Sequence, residues 1–357
     1  MKKSETGKKL LSIILLILGV VLFVAALWMD ITKTYLVINI GIDIKLRGVC
    51  FILGALLFAY GFYLFPTEKH KRTINILFLF PLLFTFAVTV IVPMFVGVFY
   101  SFTDWNGVTF TQFVGISNYT TMFKDPSFLW SLCLTFLFVV FNMVLVNLVA
   151  FLLALLCTSG IKGQTFFRAA YFLPNLIGGI VLGYIWQFVF NNVLTTLTGS
   201  TASILANSKT AFIGIIVVYV WQYAGYIMLI YINGLTTIPE DVLEAANIDG
   251  ATRVQTLFNI KIPMIASTFT ICTFLTLTSA FKQFDVNLAL TNGTGSIEFL
   301  GNYLSNGTQM IALNIYNTAF ARDLYGLAQA KAILFFIILA IVSMVQVRVS
   351  NSREVEM

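Results

Sequence analysis

Eight stretches of this chain are so continuously apolar that water cannot be the solvent for most of it. They are Leu10–Trp28, Val49–Phe65, Ile74–Tyr100, Phe128–Cys157, Phe166–Phe190, Ala211–Ile232, Pro263–Phe284 and Leu324–Val347. A helix that crosses a bilayer takes about 20 mostly apolar residues. None of the stretches alternates with the period of two that a membrane barrel requires. The expected fold is therefore an all-α polytopic membrane protein with about eight transmembrane helices. Only 10% of the residues are charged, against about 25% in a soluble domain, too few to cover a globular surface. The 35 Phe exclude a disordered chain. Cys50, Cys133, Cys157 and Cys272 all lie in apolar runs and read as small buried hydrophobes, not as bridges or metal ligands. The first stretch reads as a retained anchor, because Trp28-Met29-Asp30 lacks a small-residue cleavage site.

The net charge of +6 describes orientation, not affinity for nucleic acid. Basic clusters at Lys2, Lys3, Lys8 and Lys9, and again at Lys69, Lys71 and Arg72, fall on one side if the N-terminus is cytoplasmic. Eight spans then return the C-terminus to that side. Residues 1–72 read as a two-helix transmembrane hairpin with a basic linker, and 73–127 as the first core helix with an external segment. Residues 128–348 follow as the rest of the core, with a cytoplasmic loop at 236–263, and 349–357 as a cytoplasmic tail. His70, inside the basic linker Pro66–Arg72, reads as solvated.

Reactive constellations are missing from the sequence. It has no Gly-x-x-x-x-Gly-Lys-Ser/Thr phosphate loop, no His-Glu-x-x-His and no Cys-x-x-Cys. Ser159–Thr165 resembles a phosphate loop in composition only and reads as a cytoplasmic turn. A proton- or ion-coupled secondary transporter needs ionisable relays within the bilayer. The candidates are Lys282 and Asp285, whose i,i+3 spacing predicts a mutual ion pair instead.

The cytoplasmic loop Thr236–Pro263 reads as two short helices around a glycine. Thr237 with Glu240 has the spacing of a capping box, and Pro239 suits a first turn. Val242, Leu243, Ala245 and Ala246 then continue a helix whose small residues let another surface approach. Asp249-Gly250 stops it, with glycine free to take a positive φ. A second helix runs from about Ala251 to Pro263.

Glu244-Ala245-Ala246, Gly250 and, nine residues on, Ile260-Lys261-Ile262-Pro263 resemble the EAA loop of bacterial ABC importer permeases. Ile262 stands where that motif usually has Leu. Ser101–Gly107, Val114–Tyr119, Arg168–Pro174, Leu290–Gly293 and Ala312–Phe320 resemble further landmarks of carbohydrate-type, maltose permease-like members. The segment 294–309 departs from the family's turn. The resemblance, over about 74–348, implies that the loop is a coupling helix docked in a groove of a cytoplasmic ATPase through Glu244, Ala245, Ala246, Asp249, Gly250, Ile260 and Pro263. It also implies a second homologous permease subunit, two ABC ATPase subunits and an extracellular solute-binding protein. No cofactor is expected on this chain, since ATP and Mg belong to the ATPase. The setting it implies is a bacterial plasma membrane.

Tyr219, Tyr223 and Tyr226 fall at i, i+4 and i+7, on one helical face. Thr276, Ser279, Ala280 and Gln283 make a polar stripe in another span. Polar residues in a span face the protein interior or a wet cavity, and tyrosine rings stack on sugars while hydroxyls and amides serve their hydroxyls. By resemblance to the maltose permease these positions are substrate-binding. The alternative is that the tyrosines are interfacial or packed between helices. The function implied is an ATP-driven importer of a sugar or oligosaccharide, with glycerol-3-phosphate or a polyol as the variant within the family.

Overall fold

The structure is a computed structural model that describes residues 2–31, 37–39, 43–65 and 68–351. Contacts divide it into two compact units, one up to Val96 and one from Gly97.

In the first unit, helix α1 (Lys2–Ile31) and helix α2 (Leu46–Tyr63) are joined through a short antiparallel ribbon, β1 (Val37–Asn39) with β2 (Asp43–Lys45). Lipid tails give helices no hydrophobic reason to associate, so small residues that let backbones approach supply the packing. A Cβ on Gly19 would lie 2.8 Å from the backbone N of Phe58 and 2.9 Å from the carbonyl of Gly54. The Ser12 hydroxyl donates to the Gly61 carbonyl of the facing helix. Helix α3 (Glu68–Phe86) passes through one wide turn at Ala87–Ile91 into α4 (Val92–Tyr100), whose end opens the second unit. Glu68–Arg72 of the basic segment are thus helical, while Pro66 and Thr67 lie outside the described residues, as does the side chain of His70.

The second unit continues with α5 (Ser117–Lys124), the long α6 (Pro126–Cys157), α7 (Gln164–Leu176), α8 (Gly179–Phe188) and α9 (Leu194–Thr198). Next come α10 (Ser208–Thr236), α11 (Glu240–Ile248), α12 (Arg253–Thr256), α13 (Ile262–Met264) and α14 (Ala266–Phe281). After α15 (Asp285–Thr291), the strands β3 (Ile297–Phe299) and β4 (Asn302–Leu304) form a hairpin, and α16 (Ile311–Phe320) and α17 (Tyr325–Asn351) complete the unit. Its core lies between α6, α10 and α14, where Phe138, Ile215, Tyr219, Tyr231 and Phe281 are fully enclosed.

Among the described residues, seven helices are long and apolar enough to cross a membrane. The pair Arg253–Met264 and Ala266–Phe281, bent by 72°, supplies an eighth. The eight-span reading of the sequence holds in number, but the fifth stretch is not one helix. Phe166–Phe190 breaks at Ile177 and Gly178, both extended at ψ 128° and 135°. The crossing helix is Gly179–Thr198, and the earlier one ends at Leu176, two residues after Pro174. Cys133 is exposed, unlike buried Cys157 and Cys272; its apolar surroundings in the sequence mark a lipid-facing position as readily as a core one.

Candidate functional site

The loop Thr236–Pro263 is two helices joined at Gly250. Gly250 takes φ +75°, where an L side chain is strained, and Ala251 N–H returns to the Ala246 carbonyl at 2.9 Å. The second helix, continuous from Arg253 through a wide turn at Leu257–Lys261 to Met264, opens with a capping box. Thr252 Oγ1 accepts from Gln255 N–H and the Gln255 amide oxygen accepts from Thr252 N–H. The box expected at Thr237 and Glu240 does not form. Thr237 Oγ1 donates to the Gly234 carbonyl at 2.7 Å, because the end of α10 offers a nearer acceptor. Pro239 stands one position earlier than expected, as the N-cap of α11, and Glu240 and Asp241 face the positive end of the helix dipole.

Ile238, Ala246 and Ile265 are buried, and Leu243, Leu257 and Ile262 pack on the main core. The loop is therefore tied to the membrane bundle. Glu244, Ala245, Asp249, Gly250 and Pro263 face outward, whereas Ile260 is half-buried and Ala246 turns inward. Three outward residues escaped the sequence reading: Ile248 is 86% exposed, Val254 64% and Phe258 62%. Their signal was available, since large apolar side chains in a polar loop are an interaction surface when they cluster.

Two helix breaks converge on α10. Gln222 Nε2 donates to the Ile177 carbonyl at the first break, at 3.3 Å. The second break, Lys282–Phe284, separates α14 from α15. It lies beside the first, because a Cβ on Gly179 would sit 2.7 Å from the Asp285 Cβ. The Tyr171 carbonyl of α7 comes so near α10 that a Cβ on Gly225 would lie 1.8 Å from it. Lys282 and Asp285 are both exposed and form no ion pair with each other, contrary to their spacing; the break at Phe284 takes them out of helical register.

The tyrosine face is graded. Tyr219 is fully buried against Phe138 and stacks on Tyr223 at 4.3 Å between centroids, while Tyr223 is half-buried and Tyr226 is 36% exposed. Thr276 is spent on packing: its hydroxyl donates to the Cys272 carbonyl and accepts from Asn147, which also receives the Tyr231 hydroxyl. Ser279 is half-buried and Gln283 is buried. Tyr219 Oη, Gln283 Nε2 and Asn142 Oδ1 are enclosed with no hydrogen-bond partner. Leaving such a group unpaired costs about 1–3 kcal/mol; Asn142 stands on α6, Tyr219 on α10 and Gln283 in the break that follows α14.

The outer end holds a network that sequence reasoning missed. Lys331, fully buried in α17, donates to Asp125 at 3.2 Å, and to Asn314 and Thr318 at 2.9 Å each. Its ammonium also lies 5.3 Å from the Phe128 ring. Asp125 caps α6 as well, accepting from Ser127 N–H at 3.0 Å. One carboxylate thus starts a helix and neutralises a cation. On the opposite side, Arg168 donates to the Cys157 carbonyl at the end of α6, satisfying an orphan acceptor at the negative pole.

Residues 126–354 match the model of the binding-protein-dependent transport system inner membrane component family, and the chain belongs to that family. It is a multi-pass membrane component of a transport system, not a catalytic subunit. It is 42% identical, over 79% of its length and 95% of the relative's, to the probable starch degradation products transport system permease protein AmyD of Thermoanaerobacterium thermosulfurigenes. It is 34% identical, over 74% and 90%, to the multiple sugar-binding transport system permease protein MsmF of Streptococcus mutans. The fold is shared with a bacterial ABC transporter involved in the import of the acidic polysaccharide alginate, at TM-score 0.68 and 18% identity over 80% of this chain and 98% of that one.

Proposed function

We propose that this chain carries a neutral sugar or oligosaccharide across the membrane as one of two homologous permease subunits. Two ABC ATPases drive it from the cytoplasm, an extracellular solute-binding protein delivers the solute, and both termini are cytoplasmic. The observation that carries the reading is that Tyr219 Oη on α10, Gln283 Nε2 in the second break and Asn142 Oδ1 on α6 are enclosed without partners. Hydroxyls of a sugar both donate and accept, so they can satisfy all three kinds of group, and the half-buried Tyr223 offers a ring to stack on. The names of AmyD and MsmF agree with this class.

The outward face of the loop, with Glu244, Ala245, Ile248, Val254 and Phe258, is assigned as the ATPase contact. Closure of the ATPases would move α11 as a rigid lever, because its inward face is packed on the bundle. ATP and Mg are assigned to the ATPase and no cofactor to this chain.

Relatives named for sn-glycerol-3-phosphate transport also exist, at 28% identity over 68% of this chain for UgpA of Brucella abortus. A phosphate would call for a cation at the breaks, where Lys282 stands. Uptake by the reconstituted importer tests the assignment. ATP-dependent entry of a malto-oligosaccharide that survives Lys282→Ala is expected. Uptake of glycerol 3-phosphate alone, abolished by Lys282→Ala, would replace the sugar with the phosphate ester. Uptake by this chain without ATP, abolished by an ionophore, would replace the class with an ion-coupled transporter.

A further inference from the structure

We infer that the outer end of the bundle holds a second saccharide site, separate from the central breaks and built by the 292–309 segment, the end of α16 and the start of α6. The inference rests on the sugar reading above. The cavity there measures about 650 Å³, within the roughly 300–1,000 Å³ usual for small-molecule sites. Most grooves of this molecule are lined by aliphatic and aromatic side chains, as lipid contact requires. This one is lined largely by amides and hydroxyls.

Its frame is rigid before any ligand arrives. Asn306 donates to Ser127 at the start of α6 and to the Gln309 amide oxygen. Trp130 Nε1 donates to the Gly307 carbonyl at 3.0 Å, and the Thr308 hydroxyl and carbonyl bond to Thr291 and Asn287. The hairpin turns through Leu300 and Gly301, both at positive φ, which matches the twist of the strands. Beneath the cavity the Asp125–Lys331 pair fixes α6 to α17. A site ordered in advance loses less freedom on binding.

Against this frame a set of groups remains unspent. The side chains of Asn292, Ser305, Asn317 and Arg322 and the hydroxyl of Tyr303 bond to no other described residue. Buried Gln309 accepts two hydrogen bonds at its oxygen and keeps its Nε2 free. Amides that donate and accept side by side suit vicinal hydroxyls, and the exposed Tyr303 ring offers a stacking face. The Arg322 guanidinium and the Asp125 carboxylate, which Lys331 neutralises, are the charged groups of the lining; the rest are neutral amides, hydroxyls and aliphatic groups. A polyhydroxylated, uncharged chain is the ligand this chemistry describes.

The test uses the complete importer in nanodiscs without its solute-binding protein, and two probes, maltotetraose and glycerol 3-phosphate, followed by equilibrium dialysis. Maltotetraose should bind, and Asn292→Ala combined with Asn317→Ala should weaken it about tenfold, the worth of two neutral hydrogen bonds. Tyr303→Ala, at a position in β4 that is 74% exposed, gives an independent reading with little folding cost and should weaken binding several-fold. Tyr223→Ala should leave the outer site occupied. Maltotetraose binding that Tyr223→Ala removes and the outer variants leave intact overturns the outer site while the sugar reading stands. A wild-type importer that binds glycerol 3-phosphate and no maltotetraose overturns both.

Discussion

The loop Thr236–Pro263 and the opposite end of the same bundle are built by opposite means. The loop is assembled from neighbours in sequence: Gly250 turns the chain, Thr252 and Gln255 cap the helix that follows, and the exposed apolar residues stand within eleven positions of one another. The outer end is assembled from distant residues, with Lys331 reaching Asp125 across 206 positions and Asn314 reaching Ser127 across 187. The first construction leaves an unpaired surface, which suits docking. The second ties Lys331, Asp125, Asn306, Asn314 and Thr308 to one another and to their neighbours, which suits a fixed frame. Damage to the frame should therefore cost stability, and damage to the loop should cost transport alone.

The largest effect is expected from Lys331→Met. It strands Asp125 and removes a donor from Asn314 and Thr318 together. Breaking a buried ion pair by removing one partner costs about 3–5 kcal/mol. Thermal unfolding of the purified complex should shift downward accordingly, and Asp125→Asn on the same background should recover part of the loss. An unshifted transition would mean the pair is not part of the frame.

Next is Gly225→Val. Its Cβ would collide with the backbone of Tyr171, which has no flexible end to move aside. Membrane abundance of the assembled complex should fall several-fold, while Gly199→Ala, with nothing near its Cβ and only its positive φ to strain, should cost much less. Equal abundances would contradict the close approach of α7 and α10.

How much of this was legible follows the same division. Gly250 and the two-helix loop could be read because turn and cap chemistry are local. The capping box went to Thr252 instead of Thr237 because a hydroxyl bonds to the nearest acceptor, and the carbonyls ending α10 are nearer than any N–H of α11. The break at Ile177 left only Pro174 as a mark in an otherwise apolar run. Lys331 carries no mark of its role in the sequence, since its partner Asp125 is 206 positions away. The tyrosine face was legible as a face. That Tyr219 is wholly enclosed and Tyr226 partly open depends on which helices cover α10, and periodicity does not carry that.

Smaller and purely functional effects should follow at the other two regions. Gly250→Pro replaces φ +75° with the fixed angle of about −65° and should abolish uptake at near-normal abundance. Glu244→Lys, which reverses an exposed charge, should do the same through the docking face. Normal uptake in both would remove the coupling role. At the centre, Tyr223→Ala and Gln283→Ala each remove an interaction worth about 0.5–1.5 kcal/mol and should lower uptake by up to roughly tenfold. Val220→Ala and Phe274→Ala serve as controls and should lower it less. A larger loss in the controls would reassign the polar stripe to helix packing.

The most direct measurement places both regions in one experiment: ATPase co-purification and labelled malto-oligosaccharide uptake, from the same vesicles, for Ile248→Asp with Phe258→Asp and for Tyr223→Ala. The account predicts that the loop variant loses the ATPase and with it uptake, whereas Tyr223→Ala keeps the ATPase and loses only uptake. A loop variant that retains the ATPase and transports normally, or a Tyr223→Ala complex that sheds its ATPase, would contradict the division of this chain into a docking face and a solute path.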